Sequence, residues 1–472
     1  MPTRSIYLLS PRQLPPETIA VAFAKTSRSP ETFQEIAAEL SDEKSAQFHE
    51  KWVVGYGHSS VAEHAVLHLA IENVSRLAVE CIESNRLASY TEKSTRYQKW
   101  GPDDFHVPAE LDGHPLAAEY AKTCRLLFGA YTKSLAPARK VIEGNSPRRE
   151  NENDEQYDRR IRSQYVDACR FLLPAASLAN LGMTANARVM EHALSKMLSH
   201  PLREVQQIGL ELRQAARGET PTLLKYAESQ PYLRQTTLEL KQAAAHLTGT
   251  QQLAGREDWC RLLHWDPDGE ERLLAAALYR VGQLPYAAAL QSVQTAAPQE
   301  KAALAGRLFT HLGDHDALLR EFEHTAYTFD LLLDQGAYAE FKRHRMMTQT
   351  PQALTVRHGY RTPRLIAEAG FEAEYRQAMQ AAGDLFEKLY TWDAEVAPYI
   401  VPNGYNRRVL FGLNLREAFA FCQLRAAKNA HFSIRCVAQR MAEEIRRVHP
   451  LLGARMKLPE EPWQQIEAAC FV

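Results

Sequence analysis

An α+β fold is predicted by two features of the sequence: long stretches with apolar residues at helical spacing, and short strand-like runs set among them. Residues 71–81 and 418–448 carry the helical pattern, and residues 5–9 and 326–333 read as strands. A third feature divides the chain, because a set of landmarks occurs twice in the same order. Glu63-His64, an apolar run and Arg86 are answered by Glu323-His324, an apolar run and Arg345. Asn186-Ala187-Arg188 is answered by Asn414-Leu415-Arg416. The openings also agree, Tyr7-Leu8-Leu9 with Pro15-Pro16-Glu17 against Leu262-Leu263 with Asp266-Pro267. The expected organisation is a first repeat over 1–240, a linker over 241–254 and a second repeat over 255–472. Each repeat has ordinary domain size.

Composition excludes several classes. With 45% hydrophobic and 24% charged residues, the chain is neither disordered nor fibrous. Lys and Arg number 56 against 57 Asp and Glu, so nothing points to a whole-protein nucleic-acid binder. The seven cysteines are scattered, with no C-x-x-C pair, which suits a reduced chain without disulfides or a zinc ribbon. No run reaches the ~20 apolar residues of a membrane span, and residues 1–10 lack a signal-peptide core, so a cytoplasmic protein is expected. The polar stretch 143–162 reads as a solvated insertion leading into a helix capped by Asp154 or a neighbour. Residues 248–258, with Gly249 and Gly255, suit a connection between the halves.

Two segments carry chemistry. Residues 86–97 crowd Arg86, Ser89, Glu92, Ser94, Arg96 and Tyr97 together. A Ser-x-Arg loop can hold a phosphate, because a hydroxyl and a guanidinium fork converge on its oxygens. Arg343-His344-Arg345 closes an apolar helix-like run, where cations suit the helix dipole and could line an anion pocket.

These strings resemble the flavin-dependent thymidylate synthases. That family carries an upstream Glu-His, then Arg-His-Arg, two residues, Ser, four residues and Ser-x-Arg-Tyr, followed by Asn-x-Arg and Leu-Arg. The chain looks like a tandem duplication of that unit, which implies two copies of a fold with a mixed sheet flanked by long helices. The first half keeps Arg86, Ser89, Glu92, Ser94, Arg96, Tyr97 and Arg170 before a Leu-Pro, but has Ser84 and Asn85 in place of Arg and His, and Met197 in place of the Leu-Arg arginine. The second half keeps Arg343, His344, Arg345, Asn414, Arg416 and Leu424-Arg425, but has Ala353 and Thr355 in the Ser-x-Arg positions and Pro398 opposite Arg170. In the family each site lies between subunits, and the losses sort along that division. One composite site, Glu92, Ser94, Arg96 and Arg170 facing Arg343, His344, Arg345 and Arg425, is whole. Its reciprocal is stripped.

The resemblance implies reductive methylation of dUMP with methylene-tetrahydrofolate, FAD and NADPH. It assigns the phosphate to Ser94, Arg96 and Arg170, with Glu92 and Arg343 also on the nucleotide, and the pyrimidine edge to Arg425. The cofactor falls to Arg343, His344, Arg345, Asn414, Arg416, Glu63 and Ser60. Glu340 stands where the family often has Gln, and a carboxylate there would lie near the phosphate. A homodimer imitating the family tetramer is expected. His58, His64 and His68 are read as structural histidines, and no metal site is expected. Arg357-His358-Gly359-Tyr360-Arg361 replaces the substrate loop in the second half, as a repurposed loop or interface patch. The competing reading is a diverged, non-catalytic flavin- or pyrimidine-nucleotide-binding protein.

Overall fold

A computed structural model describes residues 7, 9–26, 29–55, 59–248 and 258–472. The fold is α+β, built as two copies of one arrangement. In the first, β1 (Val66–Ser75), β2 (Ala88–Glu92) and β3 (Leu178–Asn186) form a sheet of order β1-β3-β2. In the second, β4 (Cys260–Trp265), β5 (Ala326–Asp334), β6 (Thr348–Pro351) and β7 (Asn406–Asn414) form a sheet of order β4-β5-β7-β6. Both sheets are antiparallel throughout, not mixed. The cause is topological. Strands β1 and β2 run the same way, but β3 enters between them in the opposite sense, and β7 does the same between β5 and β6. Among the described residues no helix is long and apolar enough to cross a membrane.

The expected helix at 71–81 is a strand that turns into a helix. Strand β1 runs to Ser75, whose hydroxyl accepts from the Ala78 N–H at 2.9 Å and starts the helix Arg76–Ile82. Asp334 does the same after β5, accepting from the Ala337 N–H at 2.8 Å to start the helix Gln335–Phe341. Residues 418–448 split into the helices Leu415–Arg425 and Phe432–Val448, the second capped by His431. The 143–162 insertion is shorter than expected, because the helix Leu116–Asn145 runs on through residue 145. The next helix, Asp154–Cys169, is capped by Asn153 in a capping box with Gln156.

Part of the expected linker is helical, in Pro231–Thr248. Residues 249–254 lie outside the described residues, as do His58 and most of the expected strand at 5–9.

The repeats meet across a local two-fold. Pro174 and Pro402 form an antiparallel bridge. Around it the Ala175 N–H donates to the Val401 carbonyl (3.0 Å) and the Asn403 N–H to the Leu173 carbonyl (3.0 Å). The Ala176 N–H donates to Tyr399 (2.8 Å) and the Gly404 N–H to Phe171 (2.9 Å). The apolar cores do not divide at the linker. The helix Glu372–Trp392, with Tyr375, Leu385 and Phe386 buried, joins the first-repeat core beside the helix Leu116–Asn145. The second core is built from residues 260–456. The two halves therefore share one of their cores, which fixes their relative position.

Candidate functional site

The shared seam opens as a cleft of about 310 Å³ walled by both repeats, within the range of small-ligand pockets. The loop after β2 supplies Lys93, Ser94, Thr95 and Arg96, and Arg170 comes from the turn after the helix Asp154–Cys169. The opposite wall is the helix Gln335–Phe341, through Gly336, Ala339 and Glu340, followed by Arg343, with Leu424 and Arg425 from the end of the helix Leu415–Arg425. Glu92, Ser94, Arg96, Arg170, Arg343 and Arg425, expected together from the sequence, all line this one cavity.

Asp167 organises the first wall. It accepts from Arg96 Nε at 2.9 Å and Nη2 at 2.6 Å, and lies 3.1 Å from Arg170 Nη2. Arg170 Nη1 also donates to Thr95 Oγ1 at 2.9 Å. Burial opposes ionisation of Asp167, but Arg170, His431 and Arg96 outweigh it and hold the carboxyl below its ordinary value. Glu92 accepts from Arg76 Nη1 at 2.8 Å, and despite burial its carboxyl is likewise held low, by Arg76, Lys342, Arg343 and Arg170.

On the second wall Arg425 is held from two sides. Its Nη1 donates to Glu340 Oε2 at 2.8 Å and its Nε to His344 Nε2 at 3.0 Å. Since Nε can only donate, His344 Nε2 is the acceptor, and its Nδ1–H faces Glu417 Oε1 at 3.1 Å. Burial lowers the Arg425 pKa from its ordinary value, but a guanidinium remains charged. Arg343 is exposed at the cleft and makes no hydrogen bond or ion pair among the described residues.

Arg343, His344 and Arg345 also line a contiguous cavity of about 400 Å³, which shares Glu92, Leu424 and Arg425 with the first. Arg345 is already engaged: its Nη2 donates to the Ala88 carbonyl at 2.6 Å and its guanidinium lies over the Tyr90 ring. The remaining expected cofactor residues lie elsewhere. Asn414 and Arg416 line a cavity of about 620 Å³, and Ser60 and Glu63 another of about 730 Å³. Both copies of Asn-x-Arg have a local structural role. Asn186 and Asn414 cap helices, while Arg188 pairs with Glu63 and Arg416 with Glu323.

The family is decided by comparison with known proteins. The profile of the thymidylate synthase complementing protein family (Thy1) matches residues 11–222 and again 261–451. The chain belongs to this family, in two tandem copies. A UPF0159 protein of Chlamydia muridarum (strain MoPn / Nigg) is 29% identical over 433 residues, covering 89% of this chain and 82% of the relative. A UPF0159 protein of Thermoplasma acidophilum is 29% identical over 463 residues, covering 89% of this chain and 90% of the relative. A flavin-dependent thymidylate synthase of Thermococcus kodakarensis is 29% identical over 234 residues, covering 48% of this chain and 82% of the relative.

The reciprocal position is filled. Counted from the caps Ser75 and Asp334, the cleft residues Arg76, Lys93 and Ala339 correspond to Gln335, Gln352 and Glu80. All three counterparts bond to Arg407, which corresponds to Ala179. Arg407 Nη1 donates to Glu80 (2.7 and 2.9 Å) and to Gln335 Oε1 (3.2 Å), and its Nε donates to the Gln352 carbonyl (2.8 Å). Small residues, Gly336 and Ala339, line the open cleft, where the first repeat has Leu77 and Glu80, and Glu80 bonds Arg407. Met197 is wholly buried in the core, and Asn85 is tied to the Ile82 carbonyl and Lys196.

Arg76 and Lys93 line the cleft and Asp167 holds two of its arginines, yet none of them is among the expected site residues. Asp167 stands three residues before Arg170 on a helix, a spacing that signals a pair. Arg76 is recognisable only as the partner that Glu92 finds across the fold. His64 and His68 sit on different elements, with His68 Nδ1 2.9 Å from Thr184 Oγ1. The 357–361 segment packs within the chain. Arg357 pairs with Glu387 at 2.8 Å over Tyr390, and Arg361 pairs with Glu467 at 3.0 Å over Phe471.

Proposed function

We propose that the chain is a flavin-dependent thymidylate synthase-like methyltransferase that converts dUMP to dTMP, with methylene-tetrahydrofolate, FAD and NADPH, at one composite site per chain. The observation that carries this reading is the gathering of Ser94, Arg96 and Arg170 from one repeat with Arg343 and Arg425 from the other around one cavity, while Arg407 fills the reciprocal position. Ser94, Arg96 and Arg170 bind the nucleotide phosphate as charge-assisted donors. Arg425, held by His344 and Glu340, faces the pyrimidine edge and stabilises negative charge as C5 becomes nucleophilic. Glu92, fixed by Arg76, contacts the sugar side of the nucleotide.

The contiguous 400 Å³ cavity, rimmed by Arg343, His344 and Arg345, suits the flavin and its phosphates. FAD, when bound there, supplies the hydride transfer. Asn414 and Arg416 would serve the adenosine side. Glu63 and Ser60 line a different cavity of the same chain. The homodimer in this reading is the assembly in which two tandem copies imitate the family tetramer. Seven free cysteines suit a reducing cytoplasm.

The structural engagement of Arg345, Asn414 and Arg416 favours a second reading, a nucleotide-binding protein without a flavin. Flavin titration with dUMP calorimetry separates the two. The first reading expects a yellow protein with about one flavin and one dUMP per chain, together with turnover. Dumping of all flavin with dUMP binding intact supports the second, and two flavins per chain removes the composite site.

A further inference from the structure

We infer that Glu340 is a built-in anion: its carboxylate occupies the space between Arg170 and Arg425 for which a ligand's phosphate competes, and its charge sets how tightly the cleft holds an anionic ligand. The inference rests on the reading of the cleft as a phosphate site. Glu340 Oε2 accepts from Arg425 Nη1 at 2.8 Å, and Oε1 lies 3.8 Å from Arg170 Nη2. All three side chains are mostly buried and line the same cavity. The two neighbouring carboxylates pair within the first repeat: Asp167 fixes Arg96 and Arg170, and Glu92 fixes Arg76.

Glu340 also holds Arg425, but it alone of the three joins an arginine of one repeat to an arginine of the other. Its only bonded or paired groups among the described residues are the guanidiniums of Arg425 and Arg170. It also stands in the last turn of the helix Gln335–Phe341, where the dipole disfavours a negative charge. Local helix stability therefore does not account for a carboxylate there, whereas guanidiniums contributed by two separate repeats do. An incoming dianion meets Arg170 and Arg425 already half neutralised. It has to displace Glu340 or share the cations with it, and the unpaired Arg343 one turn further on supplies charge that Glu340 does not cancel.

The test is phosphate binding by calorimetry to the full chain and to Glu340→Gln, which keeps the shape and removes the charge. A charge at this distance shifts a neighbouring ionic equilibrium by roughly tenfold to hundredfold, so Glu340→Gln and Glu340→Ala are expected to bind inorganic phosphate tighter by about that factor. Glu387→Gln removes the same charge from the surface pair with Arg357 and is expected to leave phosphate affinity unchanged. Affinity in Glu340→Gln equal to or weaker than that of the parent overturns the inference, as does the absence of phosphate binding to both. The same titration with dUMP separates the two readings. If phosphate tightens but dUMP binds no better than phosphate, Glu340 competes as inferred and the nucleotide assignment fails.

Discussion

Arg86 and Arg345 make one contact in opposite directions across the seam between the repeats. Arg86 Nη2 reaches the Met347 carbonyl (3.3 Å) and Thr348 Oγ1 (3.1 Å), and Arg345 Nη2 reaches the Ala88 carbonyl (2.6 Å). Each guanidinium ties the end of its own helix-and-loop segment to the start of the other repeat's short strand. An arginine common to both copies is thus explained by assembly, before any ligand is considered.

Replacing Arg345 by Ala is expected to lower stability by about 1.5–3 kcal/mol, the usual worth of a hydrogen bond to a charged group. Arg86→Ala should lose somewhat less, because it lacks the stacking of Arg345 on Tyr90. Urea midpoints read both. An unchanged midpoint for Arg345→Ala would mean that its role is confined to a ligand.

Arg425→Gln should cost about 3–4 kcal/mol in kcat/KM for the proposed reaction, as loss of a preorganised donor does. Arg96→Gln should weaken dUMP binding. Thr355→Ala, in the stripped position, should be silent in both assays. Met197 is a poor partner for that control as Ala, because it is fully buried and Met→Ala in a core costs roughly 2–5 kcal/mol. Met197→Leu keeps the volume and should leave turnover intact. Equal damage from Thr355→Ala and Arg425→Gln would reverse the assignment of open and filled clefts.

Removal of Arg407 strands Glu80, whose carboxyl is held low against burial by Arg407 and Lys342. Arg407→Ala is expected to destabilise by about 3–5 kcal/mol, whereas the double change Glu80→Leu/Arg407→Met should recover most of that loss. A double-mutant cycle in urea measures the coupling. Independence of the two sites would show that the pair does not seal the reciprocal cleft.

Stability is expected to fall in two stages on acidification. His200 is pulled down to about 4 by burial, and His431, His106 and His449 are also lowered chiefly by burial. A depressed histidine binds its proton first in the unfolded chain, so its contribution is whole above pH ~6.5 and shrinks as pH falls towards the folded value. Asp167, Glu92 and Glu80 are depressed by their arginine partners, so their contribution is whole above pH ~4.5 and is lost below it. Urea midpoints from pH 8 to 3 should show both stages, and His200→Gln should reduce the upper one while the other three histidines keep part of it. A midpoint constant between pH 7 and 5 would exclude the histidine stage.

Local order could be read from the chain alone. Paired landmarks, the capping Asn153 region and the sorting of Ser94, Arg96 and Arg170 against Arg343 and Arg425 are properties of short segments, where spacing and residue type decide the outcome. The turn at Ser75 is harder to read, because the strand runs directly into the helix with no glycine or proline between them and apolar residues continue on both sides of it. Which cavities exist, and what closes them, depends on contacts between residues far apart in sequence. Arg76 with Glu92, Arg96 with Asp167 and Arg407 with Glu80 are such pairs. A side chain's charge is written in the sequence, but its partner is chosen by packing. Only the docking of the two repeats decides that one cleft stays open between Ala339 and the Ser94 loop while the other is filled by a guanidinium.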